Sequence, residues 1–588
     1  MNDGDYDIWG PKFDGQLISQ YDSPVDPITG VRSATPWIAR GKDNLNRFLQ
    51  TGAVTSNNFS IAHSSEKADV RFSFSNMYQQ GIVPNTSLTS QTFNLSNTIR
   101  FNDKLRMDAN INYNRQSTPN IPDVNYGPNS MIYNITIWGG ADWDIMAPDI
   151  RGIWAPGKEG VQSVFAEYQR YHNPWFMAEK WLRGHYKNDV YGYTSLNYQI
   201  TPELNLMART SATTYNLLRT EKMPFSAHPY GREEGRGDYR EDRRDMFEMN
   251  NEFMFNYKKT VRKINIDASL GGNRRDFQYN SSWATTDYLN VPEVYSFANS
   301  ANPVKIYNFA SSMAVSSLYA LADIGGNGFN VNLAARMDNI STFPTASNSY
   351  VYPSASASVI PTELFSKLKT KDFSFWKVRA SIAQVKGGLT SPNIGPAGST
   401  LGYGSTYSSP YNGPSYTNSS VYSTPLLYNN KPSANFTNTL SNSGLQPFSR
   451  TNIEFGTDMR ILNNRIGIEA TYFIYNDGPG IFQRTISEAT GYTNQLVNGI
   501  ETQRRGWELT INADVMKAKK AGDFEWNTSA NFSSYREYLT AVYGDVKEIS
   551  SNFFVSDNRG DRVIKVGERI DALYTSSFAR KDDGTIIN

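Results

Sequence analysis

The chain has 588 residues, with 57 Lys+Arg against 56 Asp+Glu and a formal net charge of +1. That balance argues against a generic nucleic-acid binder or a polybasic membrane-surface protein. The absence of cysteine excludes a disulfide scaffold, a Cys-ligated metal centre and a cysteine nucleophile. Aromatic residues reach 13% and charged residues only 19%, below the roughly 25% of ordinary soluble domains. Mean hydropathy is −0.53, and no run approaches the roughly 18 to 20 apolar residues of a transmembrane helix. If this chain crosses a membrane, it does so with strands.

The first residues, Met1-Asn2-Asp3-Gly4-Asp5, lack the apolar core of a secretory signal. The protein is therefore cytoplasmic or part of a longer chain. Residues 1–56 read as an irregular lead-in with Pro11, Pro24, Pro27 and Pro36, followed by the start of a sheet. From there on the pattern is an alternation of period two. Phe93, Leu95, Ile99 and Phe101 share one parity, with Asn94, Ser96, Thr98 and Arg100 on the other. Asn102-Asp103-Lys104 turns the chain into Leu105, Met107, Ala109, Ile111 and Tyr113. Successive strand side chains point to opposite faces, so each such strand has an apolar and a polar face. The pattern returns around Thr201-Pro202-Glu203, around 258–263, around 325–328 and around 462–465, and again from Trp507 to Phe532.

Connections inside these pairs are a few residues long. Those between pairs read as long loops: 115–186, 215–245, 274–312, 388–448 and 477–503. Strict short/long alternation puts every tight turn at one end of the sheet. Antiparallel strands with short turns on one rim and long loops on the other are the pattern of a transmembrane β-barrel. Apolar residues then face lipid (Phe93, Leu95, Ile111, Phe253, Phe255, Ile468, Trp526). Polar ones face a wet lumen (Asn94, Arg106, Asn110, Asn250, Glu469, Asn531). A soluble sandwich or propeller would also alternate, but it gives no reason for the loop asymmetry. The last residues, 585–588, read as a strand leaving the turn Lys581-Asp582-Asp583-Gly584, so the expected barrel, 57–588, is incomplete at its C-terminus.

No catalytic or metal-binding constellation stands out, and no cofactor motif is present. His63, His172, His185 and His228 are scattered, without the spacing of metal ligands. Asp557-Asn558-Arg559-Gly560-Asp561 has too few correctly spaced ligands for a calcium loop and reads as a polar turn. Arg236-Gly237-Asp238 sits in the charged run from Arg232 to Asp245, which reads as a solvated loop. One loop is suggestive. Trp138, Asp142, Trp143 and Trp154, with Trp175 and Trp181 beyond, place aromatic faces beside a carboxylate, an arrangement that holds sugars. These tryptophans could equally pack the loop or meet a partner protein. The Gly/Ser/Tyr stretch 402–420 reads as adaptable contact surface or as disorder.

Several segments together resemble the SusC/RagA family of TonB-dependent outer-membrane transporters of Bacteroidetes. They are Phe48-Leu49-Gln50-Thr51-Gly52, Gln80-Gly81-Ile82-Val83-Pro84-Asn85, Ala335-Arg336-Met337-Asp338-Asn339, Tyr352-Pro353-Ser354-Ala355-Ser356, Trp376-Lys377-Val378-Arg379-Ala380-Ser381, Glu454-Phe455-Gly456-Thr457-Asp458 and Arg505-Gly506-Trp507-Glu508-Leu509. Val566-Gly567-Glu568 also matches, with Arg569 where the family usually has proline. The resemblance implies an up-and-down all-β barrel in the outer membrane of a Gram-negative cell, with long extracellular loops and short periplasmic turns. It implies no enzyme. The implied function is a TonB-energised conduit for glycans or oligopeptides. Its partners would be a SusD-like surface lipoprotein, the TonB complex through a plug region, an oligosaccharide or peptide ligand and the lipid bilayer, with no nucleic acid. Family barrels have 22 strands and carry a plug. About sixteen strands can be placed here and no plug, so two unpaired edges and an empty lumen are expected. The alternatives are a siderophore or metal-chelate receptor, and a soluble or cell-surface β-rich glycan-binding or adhesion protein.

Overall fold

The computed structural model describes residues 10–587 apart from 123–128, 138, 164–170, 230–231, 233, 389, 395–408, 416–417, 424–426, 429–430, 519, 521, 553–559, 572–573 and 576–577. Among the described residues, sixteen long strands follow one another in a single antiparallel meander. They are β1 Ala53–Ser64, β2 Ala68–Gln80, β3 Ser87–Arg100, β4 Leu105–Thr118, β5 Leu182–Gln199, β6 Leu204–Met223, β7 Asp238–Val261 and β8 Ile264–Leu289. The second half comprises β9 Ser300–Gly326, β10 Phe329–Ile340, β11 Ser349–Val359, β12 Phe373–Gly387, β13 Phe448–Ile461, β14 Ile466–Thr485, β15 Asn494–Met516 and β16 Trp526–Ala541. Each ladder joins sequence neighbours, including β12 to β13 across the connection 388–447.

Antiparallel parity then assigns the rims. The turns holding Asn102-Asp103, Thr201-Pro202 and Asn463-Asn464 all fall on one rim, the inner one, as expected. Their residues explain why the chain turns there. The Asn102 side-chain oxygen accepts from the Lys104 and Leu105 amides at 2.9 and 3.0 Å. Thr201 Oγ1 accepts from the Leu204 amide at 3.1 Å. Asn463 and Asn464 hold φ of 56° and 62°, a left-handed conformation that asparagine tolerates.

The two faces separate as expected. Phe59, Phe74, Phe93 and Tyr113 lie in register on four neighbouring strands, with ring centroids 4.7 Å apart for Phe74–Phe93 and 6.1 Å for Phe93–Tyr113. Leu95, Ile111, Phe253, Phe255 and Trp526 share that open, outward face, Ile111 at 54% exposure. Spreading of side chains on a convex wall accounts for their openness. The other face is polar and bonded across strands. Asn94 donates to Asn112 at 2.7 Å, Thr98 to Asp108 at 2.8 Å, Asn197 to Asp108 at 3.1 Å, Asn273 to Asn250 at 2.6 Å and Thr510 to Asn531 at 2.9 Å. Alternation therefore sorts lipid-facing from lumen-facing residues, while the ladders satisfy the backbone groups that lipid cannot.

The sixteen strands are ordered as a closed barrel, with β16 beside β1. Among the described residues no register of Cα partners is seen between those two strands; β1 is laddered to β2 and β16 to β15. All twelve residues of β1 are exposed. The closed ring corrects the expectation of two open edges, although the join between β16 and β1 carries no described ladder. At its outer end β16 is partly covered, because Leu539 donates to the Glu568 carbonyl at 3.0 Å and Gly567 to the Leu539 carbonyl at 2.7 Å.

Two expected loops are corrected. Residues 215–245 and 274–312 are largely strand, since β7, β8 and β9 run for 24, 26 and 27 residues. Crossing the hydrocarbon needs only about 9 to 11. The remainder stands beyond it as a wall, wet outside and packed inside, so hydrophobic alternation lapses although the ladder continues. The expected loop 477–503 is likewise shortened, with β14 reaching Thr485 and β15 starting at Asn494.

Candidate functional site at the outer rim

The largest apolar core lies at the outer rim, where the lead-in meets the connection 119–181. It gathers Phe48, Val83, Met131, Ile135, Trp143, Ile145, Ile150, Trp175, Phe176, Met177, Trp181 and Met223 among others. Short helices supply half of it: α1 Asn44–Phe48, α2 Met131–Thr136, α3 Pro148–Arg151 and α4 Pro174–Glu179. The start of α4 is set by sequence. Pro174 fits the first turn, and the Asn173 side chain caps it by accepting from the Trp175 amide at 2.9 Å. Asn173 also donates to the Ile150 carbonyl at 2.7 Å, and Trp175 Nε1 donates to the Ile145 carbonyl at 2.9 Å. Arg151 lies over the Trp175 ring at 3.9 Å, and Phe48 meets that ring edge-on at 4.9 Å. Burying side chains of this size contributes roughly 1.5 to 3 kcal/mol each, enough to fold a connection whose only described ladder is the short pairing of Trp154–Ala155 with Lys158–Gln162.

A polar clasp fixes this cap to the lead-in. Gly41 donates to the Ala141 carbonyl at 2.9 Å, and Arg40 Nε to the Asp142 carbonyl at 2.7 Å. Asn44 donates to the Trp143 carbonyl and accepts from the Ile145 amide, both at 3.0 Å. Arg47 pairs with Asp144 at 2.8 Å. The approach at Gly41 is so close that a Cβ there would stand 1.8 Å from the Trp143 carbonyl oxygen. Nearby, burial and then the Asp22 carboxylate push the Tyr21 phenol up from its ordinary pKa. In the connection 290–299, burial and then Glu293 push Tyr295 up to about 12.

Below the cap, the inward face of β5 to β8 carries a row of buried charge. Glu221, 1% exposed, pairs with Arg183 at 3.0 Å and Arg240 at 3.3 Å and accepts from Trp181 Nε1 at 2.8 Å. These side chains meet because Arg183, Glu221 and Arg240 are register partners on three adjacent strands. Asp242 pairs with Arg219 at 2.6 Å and with Arg244 at 2.9 Å. Asp238 takes both ends of the Arg232 guanidinium, at 2.8 Å each, together with Thr286 Oγ1 and the Tyr288 amide. The expectation of a solvated loop from Arg232 to Asp245 is thus corrected: Asp238, Arg240, Asp242 and Arg244 are all buried. Charge at every second position, alternating in sign, was the available signal for them. Buried ions cost several kcal/mol each unless paired and hydrogen-bonded, so the lattice is rigid only while each member is present. Further down the same face, Phe277, Tyr279 and Met313 form an aromatic patch with Tyr215, Met246 and Phe309.

The loop residues singled out from sequence are placed as follows. Trp143 lies inside the cap core, 1% exposed, and Trp154 packs against that core, half-buried. Asp142 is partly exposed beside the clasp. Trp138, and the 557–559 part of the Asp557–Asp561 turn, lie outside the described residues. Trp175 and Trp181 join the core. Among the described residues, no three His, Asp or Glu are placed to hold a metal ion.

A closing meander with a polar lumen, short inner turns and a heavily built outer rim is the barrel of one transporter class. The family described as TonB dependent receptor-like, β-barrel, matches residues 162–573. The chain belongs to this family. It is therefore an antiparallel transmembrane barrel of the outer membrane, in a family of transporters. It is 24% identical over 242 residues to TonB-dependent receptor P3 of Formosa agariphila, covering 41% of this chain and 22% of that receptor. With TonB-dependent receptor P39 of the same organism it shares 23% identity over 351 residues, covering 58% of this chain and 30% of the relative. The fold matches the structure of the RagAB peptide transporter at a TM-score of 0.71 and 13% identity, over 90% of this chain and 54% of that one. The match to the RagAB peptide importer in its closed-closed state has a TM-score of 0.72, over 92% and 58%. The chain thus spans less than a third of the curated receptors it matches and about half of the solved transporter chains.

Proposed function

We propose that this TonB-dependent barrel works as a SusC-type nutrient importer. In this reading residues 57–588 are its barrel portion and 1–56 lead into it. A surface lipoprotein of the SusD kind closes the outer rim, and TonB drives release through a plug inside the ring. The likeness over about nine-tenths of the chain to RagAB, named a peptide transporter, carries the reading. It is supported by the rim itself, where a clasped cap and an ionic lattice make a stiff wall for a partner to seat on. The cargo is a glycan or an oligopeptide. In the segment 138–154, Asp142 and the half-buried Trp154 reach it, while Trp143 anchors the loop from within the core.

The test uses the receptor produced from its own gene in its own host. Deletion should abolish growth on one oligosaccharide or peptide mixture and spare growth on the corresponding monomers. A tag on the receptor should co-purify one lipoprotein. Growth loss confined to iron limitation and restored by a metal chelate would replace this reading with chelate import. Unchanged growth on every polymer, together with no co-purified lipoprotein, would refute it.

A further inference from the structure

The outward face of β5 to β10 is not evenly apolar. One register row there reads Leu196, Ala208, Phe253, Gly272, Leu318 and Met337. The small residues Ala208 and Gly272 sink the row between larger neighbours, and a trough of about 680 Å³ follows it. The next row up the strands on the same face is polar, with Asn251, Arg274, Ser316 and Asn339 on β7 to β10. All four also line the trough. Each stands about eleven residues from its inner-rim turn, the length a tilted strand needs to cross the hydrocarbon. The polar row therefore marks the outer headgroup level, and the trough descends from it into the bilayer.

Arg274 is the one cation of that row. Its side chain is 53% exposed. Nε and Nη2 reach Asp276 Oδ1, each at 3.0 Å, and Nη1 donates to Ser316 Oγ at 2.9 Å. A guanidinium has five N–H donors, so two remain for a further acceptor. The Asp276 carboxylate partly offsets the charge and also fixes the guanidinium over the head of the trough. Asn251, the register partner of Arg274 on β7, places a side-chain amide beside it, whereas the Asn339 amide donates to Asn348 and Ser349, each at 2.9 Å.

We propose that this trough is a fixed seat for one phosphate-bearing lipid of the outer leaflet. An acyl chain lies over Ala208 and Gly272 between Phe253 and Leu318. Its phosphate takes the two remaining Arg274 donors, and the Asn251 amide binds a headgroup oxygen. Charge-assisted bonds of this kind are about twice as strong as neutral ones, and the apolar trough holds the chain in one place.

The full-length receptor should be extracted from the outer membrane in mild detergent and analysed by native mass spectrometry. Wild type should retain one phosphate-bearing lipid through detergent exchange. Arg274→Gln, which removes the charge, and Ala208→Phe, which fills the trough, should each lower retention roughly tenfold, the ratio expected for losing one charge-assisted contact. Arg274→Lys should fall between. Arg243→Gln, on the outward wall above, should leave retention unchanged. Heat-modifiable migration on gels identifies folded variants. Equal retention in all folded variants would overturn the proposal, and so would equal loss in Arg243→Gln. Bound mass that matches inorganic phosphate or a second receptor copy, with no lipid, would overturn it as well.

Discussion

Glu221 sits at the centre of the buried lattice, and replacing it with alanine tests whether that lattice holds the cap. The substitution leaves Arg183 and Arg240, 6% and 0% exposed, without their shared carboxylate. It also removes the acceptor of Trp181 Nε1, which links the lattice to the core above. Breaking a buried pair by deleting one partner costs about 3 to 5 kcal/mol, because the orphaned charge stays desolvated. The loss falls on the outer rim, since the ladders below are independent of it. Native-state hydrogen exchange reads this locally. Amides of 175–183 and 218–223 should exchange roughly two to four orders of magnitude faster, the factor that 3 to 5 kcal/mol corresponds to. Amides of the inner halves of β7 and β8 should not change. A double variant, Glu221→Leu with Arg240→Met, should recover much of the protection by replacing ions with apolar volume. If Glu221→Ala exchanges like wild type at 175–183, the lattice does not hold the cap and the assignment of rigidity to it is wrong.

Three further outcomes follow from the geometry. Ile111→Lys should cost about 2 to 4 kcal/mol if the side chain meets lipid near the midplane, read as reduced folding yield into vesicles; folding equal to wild type would reverse the facing. Gly41→Ala, whose Cβ would meet the Trp143 carbonyl at 1.8 Å, should open the clasp and expose 37–50 to limited proteolysis, at a cost of about 1 to 3 kcal/mol; an unchanged digestion pattern would count against the clasp. Trp175→Phe deletes the bond to the Ile145 carbonyl and leaves most of the ring volume, so the cap should lose about 1 to 3 kcal/mol; a loss near zero in local exchange would show that bond to be expendable.

What the sequence disclosed and what it hid divide along the membrane. Between the inner turns and the outer headgroups, one strand face meets lipid and the other meets water. Hydrophobicity there must alternate, and Phe93/Asn94 or Ile111/Asn112 can be read directly from the letters. Above that level water wets the outer face, and the inner face is closed by other protein. Glu241, Arg243 and Asp245 point one way on β7 while Arg240, Asp242 and Arg244 point the other, so both parities are charged and the apolar signal vanishes. The period of two survives in the charges themselves, as Asp238, Arg240, Asp242 and Arg244. Reading that run as solvated missed it, because a charged residue becomes buried only when partners such as Glu221 and Arg219 arrive from another strand. The cap was hidden for the same reason. Nothing local to Trp143 says that Phe48, Met131 and Trp175 will surround it, since those contacts span up to a hundred residues of chain. A property that depends on one face of one strand is legible in sequence. A property that depends on what another segment brings to that face is not, and the outer rim, where partners and cargo must be met, is built almost wholly of the second kind.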